Sequence, residues 1–156
     1  MTVTERLSLI RDFHKKFGEP IATEPIAPSD GTAYFRSMLI VEEALELVAA
    51  LGFEVRIVQA FGANIVEATK TGEPDLVKIV DAIRDLEYVM GGLEVALGLQ
   101  DAAEATFIAV HRANMAKQPF GSLGGNMKPI KPSGWQPPDI CGILQRLFPA
   151  KRMLFR

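Results

Sequence analysis

The sequence predicts an all-α fold of four to five main helices, followed by an irregular basic segment near the C-terminus. Two stretches, 39–51 and 76–97, place apolar residues at helical spacing. Gly52 and Gly98 follow these two stretches and Gly18 follows the first predicted helix, as glycines do at the C-terminal ends of helices. The one run that resembles a strand, residues 55–58, has no evident pairing partner, so a helical fold is favoured.

Composition indicates one globular domain over residues 1–156. The chain is 48% hydrophobic and 23% charged, which is typical of a folded protein with a real core. Its net charge of −2 gives no overall attraction to nucleic acid or to a membrane, and neither is an expected partner. The only cysteine, Cys141, and the absence of an apolar leader favour a reducing, cytoplasmic location. The mean hydropathy of +0.14 points to apolar surface buried between subunits.

The first helix is predicted to begin at a capping box, Thr2-Val3-Thr4-Glu5, and to end at Gly18 and Pro20. His14 lies near its end, where a capping or surface role is expected. The proline-rich residues 19–31 form a loop, either a lid or pocket wall or a connector along the surface, and the connector is favoured.

The second predicted helix, about 32–51, has an acidic side. Its apolar residues fill one arc that should face the core: Ile40, Val41, Ala44, Leu45, Leu47, Val48 and Leu51. Glu42, Glu43 and Glu46 lie opposite, and no lysine or arginine occurs between Ser37 and Val55 to pair with them. From this helix alone, a metal site and a solvated acidic surface are about equally supported.

Residues 53–73 are predicted to form short helices broken at Gly62, and a long helix follows from about Pro74 to Gly98. One stripe of the long helix carries Asp81, Asp85, Tyr88 and Gly92. This stripe is either the wall of a pocket, with room for a ligand beside the ring of Tyr88, or an ordinary polar face. Either close packing or ligand approach would justify the Gly91-Gly92 pair.

The C-terminal third is basic. A helix capped by Asp101 is expected to continue to about Ala116, and a short helix is expected over 140–147. No acidic residue lies between Ala105 and Pro138, whereas four cations do: Arg112, Lys117, Lys128 and Lys131. The glycine- and proline-rich stretch 118–138, with the apolar anchors Phe120, Ile130 and Trp135, suits phosphate oxygens; the alternative is a flexible tail.

Together these parts comprise two acidic helices and one basic segment. Carboxylate oxygens are the ligands that Mg²⁺ prefers, and lysines neutralise phosphate charge. Five carboxylates are enough for two or three metal ions. The combination predicts phosphoanhydride chemistry without a P-loop.

In their order along residues 12–140, the motifs resemble the all-α NTP pyrophosphohydrolases, which include the MazG-like proteins, the dimeric dUTPases and the phosphoribosyl-ATP pyrophosphohydrolases. The first two are Asp12-Phe13-His14-x-x-Phe17-Gly18-x-Pro20 and Glu42-Glu43-x-x-Glu46. The third is Asp81-Ala82-Ile83-Arg84-Asp85-Leu86-x-Tyr88-Val89-x-Gly91. The last are Val110-His111-x-x-Asn114-Met115-x-Lys117, Lys128-x-x-Lys131-Pro132 and Trp135-x-x-Pro138-Asp139.

The resemblance implies a helical bundle that assembles as a homodimer or homotetramer and cleaves a nucleoside triphosphate to the monophosphate and pyrophosphate. It implies Mg²⁺, with Mn²⁺ as an alternative. The implied metal ligands are Glu42, Glu43 and Glu46, which also carry the catalytic role, together with Asp81 or Asp85. The implied substrate contacts are Asn114, Lys117, Lys128 and Lys131, and Tyr88, from the stripe of the long helix, is a further predicted substrate contact.

One departure keeps the aspartate assignment open. The family's second motif is commonly Glu-x-x-Asp, yet Lys78 stands three residues before Asp81 and Ala82 three before Asp85. Two alternative functions follow: a phosphoribosyl-ATP pyrophosphohydrolase, against which the long basic tail argues, or a non-catalytic nucleotide-binding helical oligomer.

Overall fold

The structure, a computed structural model, describes residues 1–60, 63–119 and 129–155. The α-helices in these ranges are α1 (Val3–Phe17), α2 (Asp30–Ala50), α3 (Leu76–Leu97), α4 (Ala103–Met115) and α5 (Ile140–Leu147). Two strands, β1 (Phe53–Ala60) and β2 (Ala63–Lys70), and two 3-10 helices, Gln100–Ala102 and Pro149–Leu154, complete the elements of these ranges. The predicted all-α fold is confirmed, with a small hairpin added. No helix in these ranges is long and apolar enough to cross a membrane.

Most helix ends lie where the local sequence predicts them. The capping box is present, since Glu5 N–H donates to Thr2 Oγ1 at 3.1 Å and Thr2 N–H donates to Glu5 Oε2 at 2.7 Å. Gly18 ends α1 and Gly98 ends α3, both with left-handed backbone. The predicted cap at Asp101 is wrong, because that residue lies inside the 3-10 helix and α4 begins only at Ala103.

The prediction of short helices over residues 53–73 is wrong. β1 pairs with β2 in antiparallel register, with Ile57 opposite Val66 and Val55 opposite Ala68. The strand-like run therefore has a partner, and that partner follows it directly in the chain. β-Branched residues favour the extended backbone here, and the predicted break at Gly62 lies outside the described residues.

The core lies where α1 crosses α3. Leu7 and Ile10 of α1 pack with Val95 of α3, and all three are buried. The segment before α2 is held against the end of α3, since Ala22 N–H donates to the carbonyl of Val95 and Ile26 N–H to that of Leu97, both at 3.1 Å. These bonds favour the connector interpretation of the loop over a lid.

Much of the predicted core face of α2 remains open to solvent. Val41 is 50% exposed and Leu45 48% exposed, although both belong to the arc expected to face the core. On α3, Leu76 and Val80 are likewise exposed. The expectation that the whole α2 arc faces the core is therefore wrong for the single chain, because α3 leaves part of that arc uncovered. The remaining apolar surface is unusual for a monomer.

Candidate functional site

Helices α2 and α3 pack against each other and present the five predicted carboxylates. Glu43 is half-buried, whereas Glu42, Glu46, Asp81 and Asp85 are exposed. The i, i+3 and i+4 spacing of an α-helix places Glu42, Glu43 and Glu46 within one turn of each other on α2. Asp81 and Asp85 are likewise one turn apart on α3.

Glu43 shows which carboxylates share an electrostatic field. Its pKa is raised, first by desolvation on burial and then by repulsion from Glu46, Asp85 and Glu42. Asp85, on α3, therefore acts on the acidic side of α2. Among the ion pairs of the described residues, none includes any of the five predicted carboxylates. Their negative charge is thus not balanced within the described chain.

The residues fit a hard divalent cation by donor type and by charge. All five groups are carboxylates, the oxygen donors that Mg²⁺ and Mn²⁺ take. After desolvation, repulsion from Glu46, Asp85 and Glu42 is the second cause of the raised pKa of Glu43, and a cation would relieve that repulsion. Across the ranges that the structure describes, however, no three acidic, histidine or cysteine side chains are close enough together to form a ready-made metal cluster.

Tyr88 lies one turn beyond Asp85, on the same stripe of α3. Its ring packs edge-on against Phe13 of α1, with the ring centroids 5.5 Å apart, and partial burial raises the pKa of its hydroxyl. Tyr88 also lines a cavity of about 340 Å³ between α1, α3 and the start of α4. The other lining side chains are mostly apolar and include Leu9, Met90 and Phe107.

The predicted phosphate contacts gather at the end of α4. Asn114 Oδ1 accepts a hydrogen bond from Lys117 Nζ at 2.7 Å. The ammonium of Lys117 lies 5.8 Å from the ring centroid of Trp135, and that of Lys131 lies 4.5 Å from it. Lys128 falls outside the described residues. The structure thus places Asn114, Lys117 and Lys131 together, around a tryptophan that the sequence suggested only as an anchor.

The carboxylates and the lysines form two groups, not one. α4 packs mainly against the 3-10 helix Gln100–Ala102 and against α5, whereas α2 and α3 pack on each other. No hydrogen bond within the described parts of the chain joins Lys117 or Lys131 to a carboxylate of α2 or α3. Within one chain, therefore, the predicted site residues are divided between two places.

A buried polar cluster, which the sequence did not reveal, joins α1, α2 and α3. Arg36 is 5% exposed and donates to Glu19 Oε2 at 3.0 Å, while its Nε has no hydrogen-bond partner. His14 is 1% exposed, and its Nδ1 is 2.7 Å from the carbonyl of Pro20. The expectation of a capping or surface role for His14 is therefore wrong. His14 and Arg36 are 22 positions apart in the sequence, so no local pattern predicts that they are in contact.

The glycine pair of α3 serves close packing. A Cβ at Gly91 would collide with the side chain of Ile10, and one at Gly92 would lie 2.9 Å from Arg36 Nη1 and 3.1 Å from His14 Nε2. The space beside Gly92 is thus occupied by Arg36 and His14. Of the two explanations considered for these glycines, packing is the one that the structure supports.

Comparison with known families gives a match over most of the chain. The family model described as phosphoribosyl-ATP pyrophosphohydrolase matches residues 10–114, which include every predicted carboxylate, Tyr88 and Asn114. Lys117, Lys131 and Trp135 lie beyond the matched residues. No curated protein matches the chain.

Proposed function

The chain belongs to the phosphoribosyl-ATP pyrophosphohydrolase family and is a hydrolase of phosphoanhydride bonds, and from that premise we propose a narrower activity. We propose that it is a Mg²⁺-dependent pyrophosphohydrolase that converts a nucleoside or deoxynucleoside triphosphate to the monophosphate and pyrophosphate. Such an enzyme would serve the nucleotide pool or remove unwanted nucleotides.

One observation supports the metal dependence above all: the raised pKa of Glu43 beside Glu46, Asp85 and Glu42. In the proposal these four carboxylates bind the metal, and Asp85 is favoured over Asp81 because its charge acts directly on Glu43. When bound, Mg²⁺ polarises phosphoryl oxygens and lowers the pKa of an attacking water. A carboxylate left free of the metal would accept the proton of that water.

The lysines supply the second half of the site in this proposal. Lys117 and Lys131 carry positive charge that no carboxylate of the described residues neutralises. Ammonium groups bind phosphate oxygens through charge-assisted hydrogen bonds. Asn114 holds Lys117 in place at 2.7 Å, and Lys128 is expected to add a further contact. Tyr88 stays a predicted substrate contact through its ring.

A second candidate substrate is phosphoribosyl-ATP itself, because the matched family bears that name. This substrate carries the same triphosphate group, so the carboxylates would serve it equally. The basic residues that follow Asn114 lie outside the match. They indicate that this segment has a function beyond that of the matched family.

We further propose that the chain acts as a homodimer or homotetramer. The exposed apolar residues of α1, α3 and α4 around the 340 Å³ cavity, including Leu9, Met90 and Phe107, support assembly. The separation of carboxylates and lysines within one chain also supports it, because a second copy could bring the two groups together.

The test is turnover of a substrate panel with Mg²⁺, measured as pyrophosphate released. The panel contains the common ribo- and deoxyribonucleoside triphosphates and phosphoribosyl-ATP, each with and without EDTA. Metal-dependent pyrophosphate release from a nucleoside triphosphate supports the proposal, and release from phosphoribosyl-ATP alone supports the second candidate. Binding without any turnover would instead favour the non-catalytic nucleotide-binding oligomer.

A further inference from the structure

Trp135 connects two lysines that belong to separate segments of the chain. Lys117 follows α4, whereas Lys131 and Trp135 lie beyond the residues left undescribed. Both ammonium groups lie over the same indole, at 5.8 Å and 4.5 Å from its centroid. These distances are within the range in which an aromatic ring attracts a cation.

The backbone fixes the indole independently of the lysines. Its Nε1–H donates to the carbonyl of Ala113 at 2.8 Å, which ties the ring to the last turn of α4. Gln118 and Ile130 exchange two backbone hydrogen bonds, at 2.9 and 3.0 Å, and so bring the two segments side by side. A tight turn delivers the ring, because Trp135 N–H donates to Pro132 and Gly134 has φ +79°.

This arrangement holds positive charge ready for an anion. Both ammonium groups are attracted to the same ring, and that attraction offsets part of their mutual repulsion. Lys117 is further restrained by Asn114 Oδ1 at 2.7 Å. An anion with several oxygens in a row, such as a di- or triphosphate group, would satisfy both ammonium groups at once.

We propose that Trp135 is a positioning residue that holds Lys117 and Lys131 in place for the polyphosphate group of the substrate. The inference deepens the proposed function and rests on it for the identity of the substrate. The ring acts through the two lysines and does not need to touch the nucleotide base. Inorganic tripolyphosphate, which has no base, is therefore a sufficient ligand for the test.

The first measurement uses the unmodified protein. Trp135 is the only tryptophan, so its emission reports on this place alone. Titration with tripolyphosphate should change the emission saturably, because the bound anion changes the electrostatic environment of the indole. The change should be lost in the Lys117→Ala, Lys131→Ala double variant. An emission that stays constant while calorimetry shows tripolyphosphate binding would overturn the proposal.

The second measurement uses two substitutions of the ring, with affinity measured by calorimetry. Trp135→Leu removes the aromatic face and should weaken tripolyphosphate binding by on the order of tenfold. Trp135→Phe keeps an aromatic face but loses the bond to Ala113, and should recover most of that affinity. Under turnover, Trp135→Leu should raise KM with little change in kcat, as expected for lost ground-state binding.

A double-variant comparison separates positioning from a merely structural role. In the background that lacks both lysine side chains, Trp135→Leu should have no further effect on tripolyphosphate affinity. An equal loss in both backgrounds would overturn the proposal. A loss with nucleoside triphosphate but none with tripolyphosphate would also overturn it, since the ring would then contact the base.

The outcome is distinguishable from failure of the proposed function. Tripolyphosphate binding requires no turnover, so weaker binding by Trp135→Leu supports the positioning role even if no nucleotide is hydrolysed. Conversely, if the enzyme is active but Trp135→Leu leaves its tripolyphosphate affinity unchanged, the proposed function stands and the positioning role is overturned.

Discussion

At the residue scale, Glu43 bears the strongest sign of a cation site, and Glu46 contributes the largest charge repulsion on it. Replacing Glu46 by Gln keeps the shape of the side chain and removes one negative charge. We expect Glu46→Gln to raise the melting temperature without metal, because the repulsion is relieved. It should also abolish most of the rise in melting temperature that we expect from Mg²⁺ in the wild type, since the proposed metal site would exist only in the folded state. Loss of a metal contact should lower turnover by on the order of 100-fold.

Melting curves of both proteins, each with and without Mg²⁺, measure these effects. Glu67→Gln, an exposed position on β2, is a matched control that should shift stability by less than about 0.5 kcal/mol and keep the Mg²⁺ response. Four coinciding curves for the wild type and Glu46→Gln would mean that the acidic side of α2 is an ordinary solvated surface.

Glu94, which lies on α3, leads us to predict a pH dependence of folding stability that does not involve the acidic residues of α2. Partial burial raises the pKa of Glu94 above its ordinary 4.5, and Arg6 offsets part of that rise. Between 4.5 and the raised value, the folded state binds more protons than the unfolded state. Glu94 therefore favours the folded state at pH values below 4.5, and this contribution to stability is lost as the pH rises through its raised pKa.

We accordingly expect Glu94→Gln to raise the melting temperature at neutral pH. Below pH 4.5, the melting temperatures of the variant and the wild type should converge. Thermal unfolding of both proteins across this pH range measures it. Glu104→Gln, at an exposed position in the first turn of α4, should show no such stabilisation at neutral pH. A neutral-pH Tm for Glu94→Gln below that of the wild type would contradict the prediction.

The grouping of acidic residues at the candidate site could be predicted from sequence, but the surroundings of these residues could not. Glu42, Glu43 and Glu46 were recognisable because helical spacing alone places them together and no nearby cation follows in the chain. The burial of His14 and Arg36 depends on contacts between residues 22 positions apart. Trp135 could be recognised only as an apolar anchor, since its contact with Lys117 depends on the turn that follows Ile130.

At the scale of the elements, the contact of α3 with α1 and α2 depends on its glycine pair. Gly92→Ala adds a methyl group against Arg36 and His14, which are buried and hydrogen-bonded. Overpacking of about 1–3 kcal/mol should exceed the gain of about 1 kcal/mol in helix propensity. We therefore expect net destabilisation of up to about 2 kcal/mol, measured by denaturant unfolding.

Gly31→Ala is the matched control, because Gly31 also lies in a helix but a Cβ there would meet nothing within 4 Å. It should leave stability unchanged or raise it by up to about 1 kcal/mol through helix propensity. A Gly92→Ala protein as stable as Gly31→Ala would show that Arg36 and His14 can shift without loss.

The elements themselves differ in how far sequence determines them. The ends of α1 and the bounds of α5 were predictable because caps depend on a few adjacent residues, such as Thr2 with Glu5. The hairpin was missed because pairing of Ile57 with Val66 is a relation between two strands, not a property of either.

At the scale of the whole molecule, the exposed apolar surface predicts a homo-oligomer. Phe107 is 72% exposed beside the cavity between α1 and α3. We expect light scattering at micromolar concentration to give a dimer or tetramer of the 17.1 kDa chain. Phe107→Glu should shift it toward monomer, because assembly would bury an unpaired charge.

Met153→Glu serves as a comparison, since Met153 is similarly exposed but does not line the cavity. It should leave the molecular mass unchanged. A wild type that scatters as a 17.1 kDa monomer would contradict the prediction of assembly, and dissociation by Met153→Glu alone would move the interface to the C-terminal 3-10 helix.

The hairpin has a consequence for the order in which the molecule opens. A two-stranded sheet has two free edges and is marginal in water by itself, and here Ile57 and Val66 are exposed on paired strands. Its amide hydrogens should therefore exchange with solvent deuterium sooner than those of α1 near Leu7 and Ile10, through local opening that leaves the core intact. Mass-spectrometric exchange on the concentrated protein would locate this difference, and slow exchange at Ile57 would reveal that another copy covers the hairpin.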